Sequence, residues 1–189
     1  PNSGKTTFFN TLTGARQHVG NYPGVTVEKK EGTCRRGGRS FRIVDLPGTY
    51  SLTAFSVEEV VARNFLIEEK PDVVVDILDA SNLERNLYLA VQLMELGVPL
   101  VLALNMSDVA EARGIEFDLG RLSVLFQAPI VSTVGTKGYG AEELLQTVAQ
   151  VADGTWRTSG KLPGRIKVNY GLEMEEILQE LEALIERDR

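Results

Sequence analysis

Seven residues at the start of the chain, Pro1-Asn2-Ser3-Gly4-Lys5-Thr6-Thr7, have the types and spacing that hold a phosphate. They match the second half of the pattern G-x-x-x-x-G-K-[ST], whose backbone N–H groups cradle phosphate oxygens. The upstream glycine of that pattern falls two residues before Pro1, so a strand and one glycine are expected ahead of the numbered chain. Gly4 lets the backbone come close to a phosphate. The N–H groups around it form an anion nest at the start of a helix, where the dipole favours negative charge. Lys5 reaches β- and γ-phosphates, the Thr6 hydroxyl is a ligand for Mg²⁺, and Asn2, Ser3 and Thr7 complete the loop. A Gly-Lys-Thr also occurs at ordinary turns, so the remainder of the chain has to decide.

Further polar clusters follow hydrophobic runs. Asp45-Leu46-Pro47-Gly48 closes the run Phe41-Arg42-Ile43-Val44. Asn105-Met106-Ser107-Asp108 closes Leu100-Val101-Leu102-Ala103-Leu104, and Ser132-Thr133-Val134-Gly135 closes Pro129-Ile130-Val131. In open α/β sheets, ligands bind beyond the carboxyl ends of the strands, where all three clusters fall. Asp45 is placed to hold Mg²⁺ through water, and the Gly48 N–H to meet a γ-phosphate. Thr26, in the loop after the first helix, could complete the Mg²⁺ shell; taken alone it reads as a strand-edge threonine. Asp108 can accept two hydrogen bonds from adjacent N–H donors, which guanine has and adenine lacks. Such a site rejects the wrong base by roughly 10⁴-fold, because a mismatch leaves buried polar groups unpaired. Asn105 would brace the loops, and Ser132, Thr133 and Val134 would meet the other edge of the base.

These clusters need elements to carry them. The pattern predicts a helix over residues 5–13, a loop over 15–24, and strands over 25–35 and 40–46 joined by the hairpin turn 36–39. A helix over 56–69 opens on a capping box, Ser56 followed by Glu59. Strands over 72–79 and 99–104 are almost continuously apolar, as in a sheet covered on both faces. Asp76 interrupts the first of them without an evident reason. Helices over 83–96, 118–126 and 140–151 and a short strand at 129–131 follow. Strands alternating with helices give an α/β fold: a mostly parallel sheet with one antiparallel edge strand and helices on both faces. Residues 154–170 read as a linker, and 171–189 as the beginning of a helical domain. The stripe Leu172, Ile177, Leu178, Leu181, Leu184 and Ile185 needs a surface to pack on.

Composition narrows the function class. The 189 residues carry a net charge of −6, which argues against nucleic acid as a partner. Cys34 is the one cysteine, so no intrachain disulfide forms, and it reads as a half-buried strand residue. His18, the one histidine, reads as an exposed loop residue, and no Cys/His/carboxylate cluster has iron-ligand spacing. No apolar run reaches the roughly 18 residues that a membrane span requires.

The ordered motifs over residues 1–153 resemble the small P-loop GTPases. One departure is Met106, where that group usually has lysine along the base; a thioether supplies a similar apolar contact. The strings Asn21-Tyr22-Pro23-Gly24-Val25-Thr26, Asp45 to Leu52, Asp79 to Leu89 and Asn105 to Asp108 are similar to the cytosolic G domain of FeoB-type bacterial ferrous iron transporters. The resemblance implies binding of GTP and GDP, Mg²⁺-dependent GTP hydrolysis, and a membrane transport domain in the same polypeptide. It implies the cytoplasmic face of the bacterial inner membrane and is compatible with a homo-oligomer. Many GTPases place a glutamine after Asp-x-x-Gly to orient the attacking water; here Thr49 stands there, which predicts slow turnover. In this family and its potassium-dependent relatives, an asparagine at the position of Asn2 helps bind K⁺. Lys5, Asn2, Thr26 and Gly48 are therefore the expected catalytic set, with K⁺ on Asn2 in place of an arginine finger. Arg16 lies in the right loop for a finger but reads as solvated. A soluble ribosome-assembly GTPase and a nucleotide sensor with negligible turnover are the competing classes.

Overall fold

The computed structural model describes residues 2–14 and 17–157. Arg16, nearly all of the linker and the C-terminal helix expected from the sequence lie outside them. Helix α1 (Lys5–Thr13) starts at Gly4, whose φ of +85° is a left-handed conformation open to glycine at little cost. Three strands follow, β1 (Gln17–Asn21), β2 (Glu28–Arg36) and β3 (Arg39–Asp45), paired antiparallel in the order β1-β2-β3. Gly37 and Gly38 both have positive φ in the β2–β3 turn, as a two-residue hairpin of this twist requires.

The second half contains α2 (Val57–Glu68), β4 (Val74–Asp79), α3 (Leu83–Glu95), β5 (Leu100–Asn105), α4 (Ser107–Ala112), α5 (Leu119–Phe126), β6 (Ile130–Ser132) and α6 (Ala141–Ala152). Strands β4, β5 and β6 pair in parallel, with β5 central. Every residue of β5 is buried, and its alternation feeds two cores. Val101 and Ala103 pack with Phe8 of α1 and Leu144 of α6. Leu100, Leu102 and Leu104 pack with Leu66 of α2 and Ala90 and Leu93 of α3. That two-sided burial explains the continuous apolar run.

Two expectations change. Residues 17–21 are a strand, not a loop, so among the described residues the antiparallel strands form a three-stranded sheet of their own beside the parallel β4-β5-β6 sheet, rather than one edge strand. The sequence Gln-His-Val-Gly-Asn has no apolar face, and its strand form rests on backbone pairing with β2. Strand β2 begins at Glu28 rather than residue 25, which leaves Thr26 in an exposed bend. Asp76 sits in β4 on the core face shared with Leu78. Burial pushes its carboxyl up to about 7, and its Oδ2 has no hydrogen-bond partner among the described residues.

Candidate nucleotide site

At the phosphate end, residues 2–7 line one side of a cavity of about 540 Å³. Leu46, Pro47, Gly48, Thr49 and Tyr50 line the facing wall, and Met106 also borders it. A Cβ on Gly4 would sit 2.4 Å from Asn105 Nδ2, so glycine is required here by a neighbouring side chain as well as by φ. Asn2 is exposed and also has positive φ, +63°. Thr6 and Thr7 are exposed in the first turn of α1. The Lys5 ammonium contacts the Asp45 carboxylate at the end of β3, and the Asp45 side chain is only 8% exposed.

The donor set suits a small hard cation. One hydroxyl, Thr6, lines this cavity, one carboxylate, Asp45, lines a neighbouring cavity that also has Lys5 in its wall, and Mg²⁺ is commonly held by one or two such groups with phosphates and water. Thr26 does not join them: it is exposed and lines neither this cavity nor the neighbouring one around Lys5 and Asp45. The described residues hold no cluster of three or more His, Cys, Asp or Glu able to bind a metal ion.

At the base end, Asn105 is the joint. It is 3% exposed. Its Nδ2 donates to the Ser3 carbonyl at 2.7 Å. Its Oδ1 accepts from Gly135 N at 2.9 Å and from the Thr133 hydroxyl at 3.4 Å. The Ser107 hydroxyl adds a bond to the Thr133 carbonyl at 3.1 Å. Met106 takes a left-handed φ of +59°, which turns the chain into α4. Asp108, Ser132 and Val134 line a second cavity of about 730 Å³. Thr133 is fully buried, so its side chain faces Asn105 and leaves Ser132 and Val134 as the cavity residues of that trio. Asp108 pairs through Oδ2 with Lys137 at 2.7 Å. The Lys137 hydrogen bond holds the Asp108 carboxyl below the usual carboxylate range.

Two loops flank the phosphate end. The first is anchored at Tyr22, whose ring stands edge-on to Phe65 of α2 at 6.3 Å, with the Lys29 ammonium over both rings. Burial, followed by the charges of Asp45 and Glu31, pushes the Tyr22 hydroxyl up to about 12. In the second loop, the Thr49 hydroxyl donates to the Ser51 carbonyl at 2.6 Å and accepts from Ser51 N at 3.1 Å. Glu59 collects three donors from the same loop: the Ser51 hydroxyl at 2.7 Å, Phe55 N at 2.9 Å and the Thr53 hydroxyl at 3.2 Å. These bonds, led by Ser51, hold its carboxyl below the usual range. Gln92 of α3 accepts from Leu52 N at 2.7 Å, and the Arg85 guanidinium lies 3.8 Å from the centre of the Tyr50 ring. Glu59, Gln92, Arg85 and Lys137 were not singled out as site residues from the sequence. In the sequence Glu59 carries one signal, its helix-cap spacing from Ser56, and Arg85 another, its place within the string Asp79 to Leu89.

Comparison with known proteins adds a family. The family model described as ferrous iron transport protein B matches residues 1–148. The chain is 48% identical over 182 residues to an Fe(2+) transport protein A/Fe(2+) transporter FeoB fusion protein of Porphyromonas gingivalis, covering 96% of this chain and 21% of that protein. It is 51% identical over 148 residues to the Fe(2+) transporter FeoB of Salmonella typhimurium, covering 76% of this chain and 19% of that protein. The chain thus spans about a fifth of the length of the curated relatives it matches. Among solved structures it resembles the GDP form II of the cytosolic domain of T. maritima FeoB, with TM-score 0.91 and 36% identity, covering 100% of this chain and 72% of that one. It also resembles the FeoB G domain from Methanococcus jannaschii, with TM-score 0.72 and 47% identity, covering 81% of this chain and 92% of that one.

Proposed function

The chain belongs to the ferrous iron transport protein B family, with the P-loop GTPase fold of FeoB G domains, and from that premise we propose that it binds GTP and GDP and hydrolyses GTP slowly. The carrying observation is Asn105, whose amide ties the phosphate loop at Ser3 to the loop after β6 at Gly135. A nucleotide laid along that joint has its phosphates on residues 2–7 and its base at Asp108.

Each residue then has a part. The N–H groups around Gly4 and the Lys5 ammonium hold the β- and γ-phosphates, and Gly48 N–H meets the γ-phosphate. Thr6 and Asp45 would hold Mg²⁺, which would supply charge neutralisation on the phosphate oxygens. Thr26 reaches that shell only if its loop folds inward from its exposed position, an order–disorder change of the kind GTPase switches use. Asp108 reads the guanine N–H pair, Met106 lies along the base and Asn105 keeps the two ends in register. Thr49 has no amide to orient water, and its hydroxyl is engaged with Ser51, so turnover is slow. Asn2 would hold K⁺ beside the phosphates, in place of an arginine finger. The expected result is faster GTP hydrolysis by the full-length protein in K⁺ than in Na⁺, with Asn2→Ala abolishing the difference. Equal rates in the two salts would remove K⁺ from the mechanism.

At the level of the whole protein, this domain regulates or drives ferrous iron uptake. It lies on the cytoplasmic face of the inner membrane, joined through residues 154–170 and a helical domain from 171 to a membrane transport domain. The second reading, a nucleotide sensor with negligible turnover, is favoured by the engaged Thr49 hydroxyl. Single-turnover hydrolysis separates the two: a sensor leaves GTP intact over many binding lifetimes.

A further inference from the structure

Asp108 offers two carboxylate oxygens, and both are engaged. Oδ1 accepts from Val109 N at 3.0 Å, and Oδ2 holds the Lys137 ammonium at 2.7 Å. Guanine presents two adjacent N–H donors and needs both oxygens in the plane of the base. The Lys137 side chain and the guanine edge therefore compete for one acceptor. We infer that Lys137 is a built-in competitor for the base-reading carboxylate, a gate that swings away before guanine seats and so sets how tightly and how fast nucleotide binds. This rests on the assignment of guanine to Asp108 proposed above.

Lys137 is positioned for such a swing. Its backbone is pinned by its own N–H to the Val134 carbonyl at 3.0 Å, and the turn it ends is pinned by Gly135 N to Asn105 at 2.9 Å. Gly138 follows with φ of +67°, and Gly140 has no room for a Cβ, which would lie 2.3 Å from the Ser132 carbonyl oxygen. The main chain cannot retreat, whereas the side chain is 66% exposed and free to turn into solvent. The gate is also weak by design, since an exposed ion pair shifts an equilibrium by about twofold to fivefold. A closed fraction of that size lowers apparent affinity by the same factor.

The test uses the full-length protein, with GDP and ADP as probes in calorimetry and stopped-flow mixing. Lys137→Met keeps the stem and removes the charge. It should bind GDP about twofold to fivefold more tightly, mainly through faster association, while Lys137→Arg stays close to wild type. The advantage of the Met variant should shrink towards one as salt rises from about 0.05 M to about 0.5 M, because the pair it lacks is exposed and screened. Met-variant affinity equal to or below wild type, or an advantage that ignores salt, overturns the gate. A wild-type protein that does not prefer GDP to ADP would instead overturn the base assignment, so the two failures are distinguishable.

Discussion

The two ends of the site are held by different means. At the base end the loops meet on one buried amide, Asn105, with a partner in each of the phosphate loop and the loop after β6. At the phosphate end the second flanking loop hangs from side chains nearer the surface, Glu59 under residues 51–55 and Arg85 over Tyr50, and of the first loop only Tyr22 is buried, against Phe65. Buried hydrogen bonds inside a low-dielectric interior are costly to break, while exposed ones exchange with water at little cost. The difference teaches that the joint between the two ends is fixed and that response is left to exposed side chains and loops that can let go. Nucleotide-dependent motion is expected at residues 23–27 and 49–56, and the backbone around Asn105 should move little.

The largest expected effect lies at Asp76, in the wall of the phosphate-end cavity and not of the cavity at Asp108. Its folded-state pKa of about 7 lies above the ordinary value of 3.8. The unfolded chain therefore ionises first as pH rises, and stability is greatest near pH 4, falls towards pH 7 and is level above it. Asp76→Asn should remove the slope, gaining up to about 4 kcal/mol at pH 8 and almost nothing at pH 4. Denaturant melts of both proteins at pH 4, 6 and 8 measure it; parallel curves would show that the sheet tolerates this charge.

Asn105→Ala comes next. It orphans the Ser3 carbonyl and Gly135 N–H, a loss of about 2 to 3 kcal/mol. Thermal unfolding reads the stability, and titration with GDP and with inorganic pyrophosphate reads both ends. Both ligands should weaken together. Weakening of GDP alone would mean that the phosphate loop does not depend on the joint.

Glu59→Gln should be smaller and local. Amide exchange over residues 49–56 should accelerate while GDP affinity holds, because the clamp touches neither Asn105 nor Asp108. Since the Glu59 carboxyl sits below its usual range, the wild-type clamp persists above that range and loosens as pH falls through it. Faster exchange at the base loop would erase the contrast between the two ends.

Much of this arrangement could be read from residue types. The α/β class followed from two continuous apolar runs, and the site from polar clusters closing each run. What escaped depended on partners far apart in the chain. Nothing near Lys137 announces Asp108, and nothing near Gln92 announces Leu52. Strand β1 escaped because its sequence has no apolar face and its partner supplies the reason for its shape. Thr133 looked like its neighbours Ser132 and Val134, yet its hydroxyl turns inward, a choice made by the buried Oδ1 of Asn105. Asp76 is visible as an anomaly in the sequence, and the fold leaves it one: a buried carboxyl with an oxygen that none of the described residues satisfies.

The contact between Gly4 and Asn105 has a consequence for what the site can measure. One side-chain amide, with no room for even a methyl group beside it, separates the loop for phosphates from the loop for the base. With phosphates on residues 2–7 and the base at Asp108, as proposed, it works as a gauge block: a guanine compound lengthened by one methylene between ribose and phosphate is expected to bind more weakly than GDP.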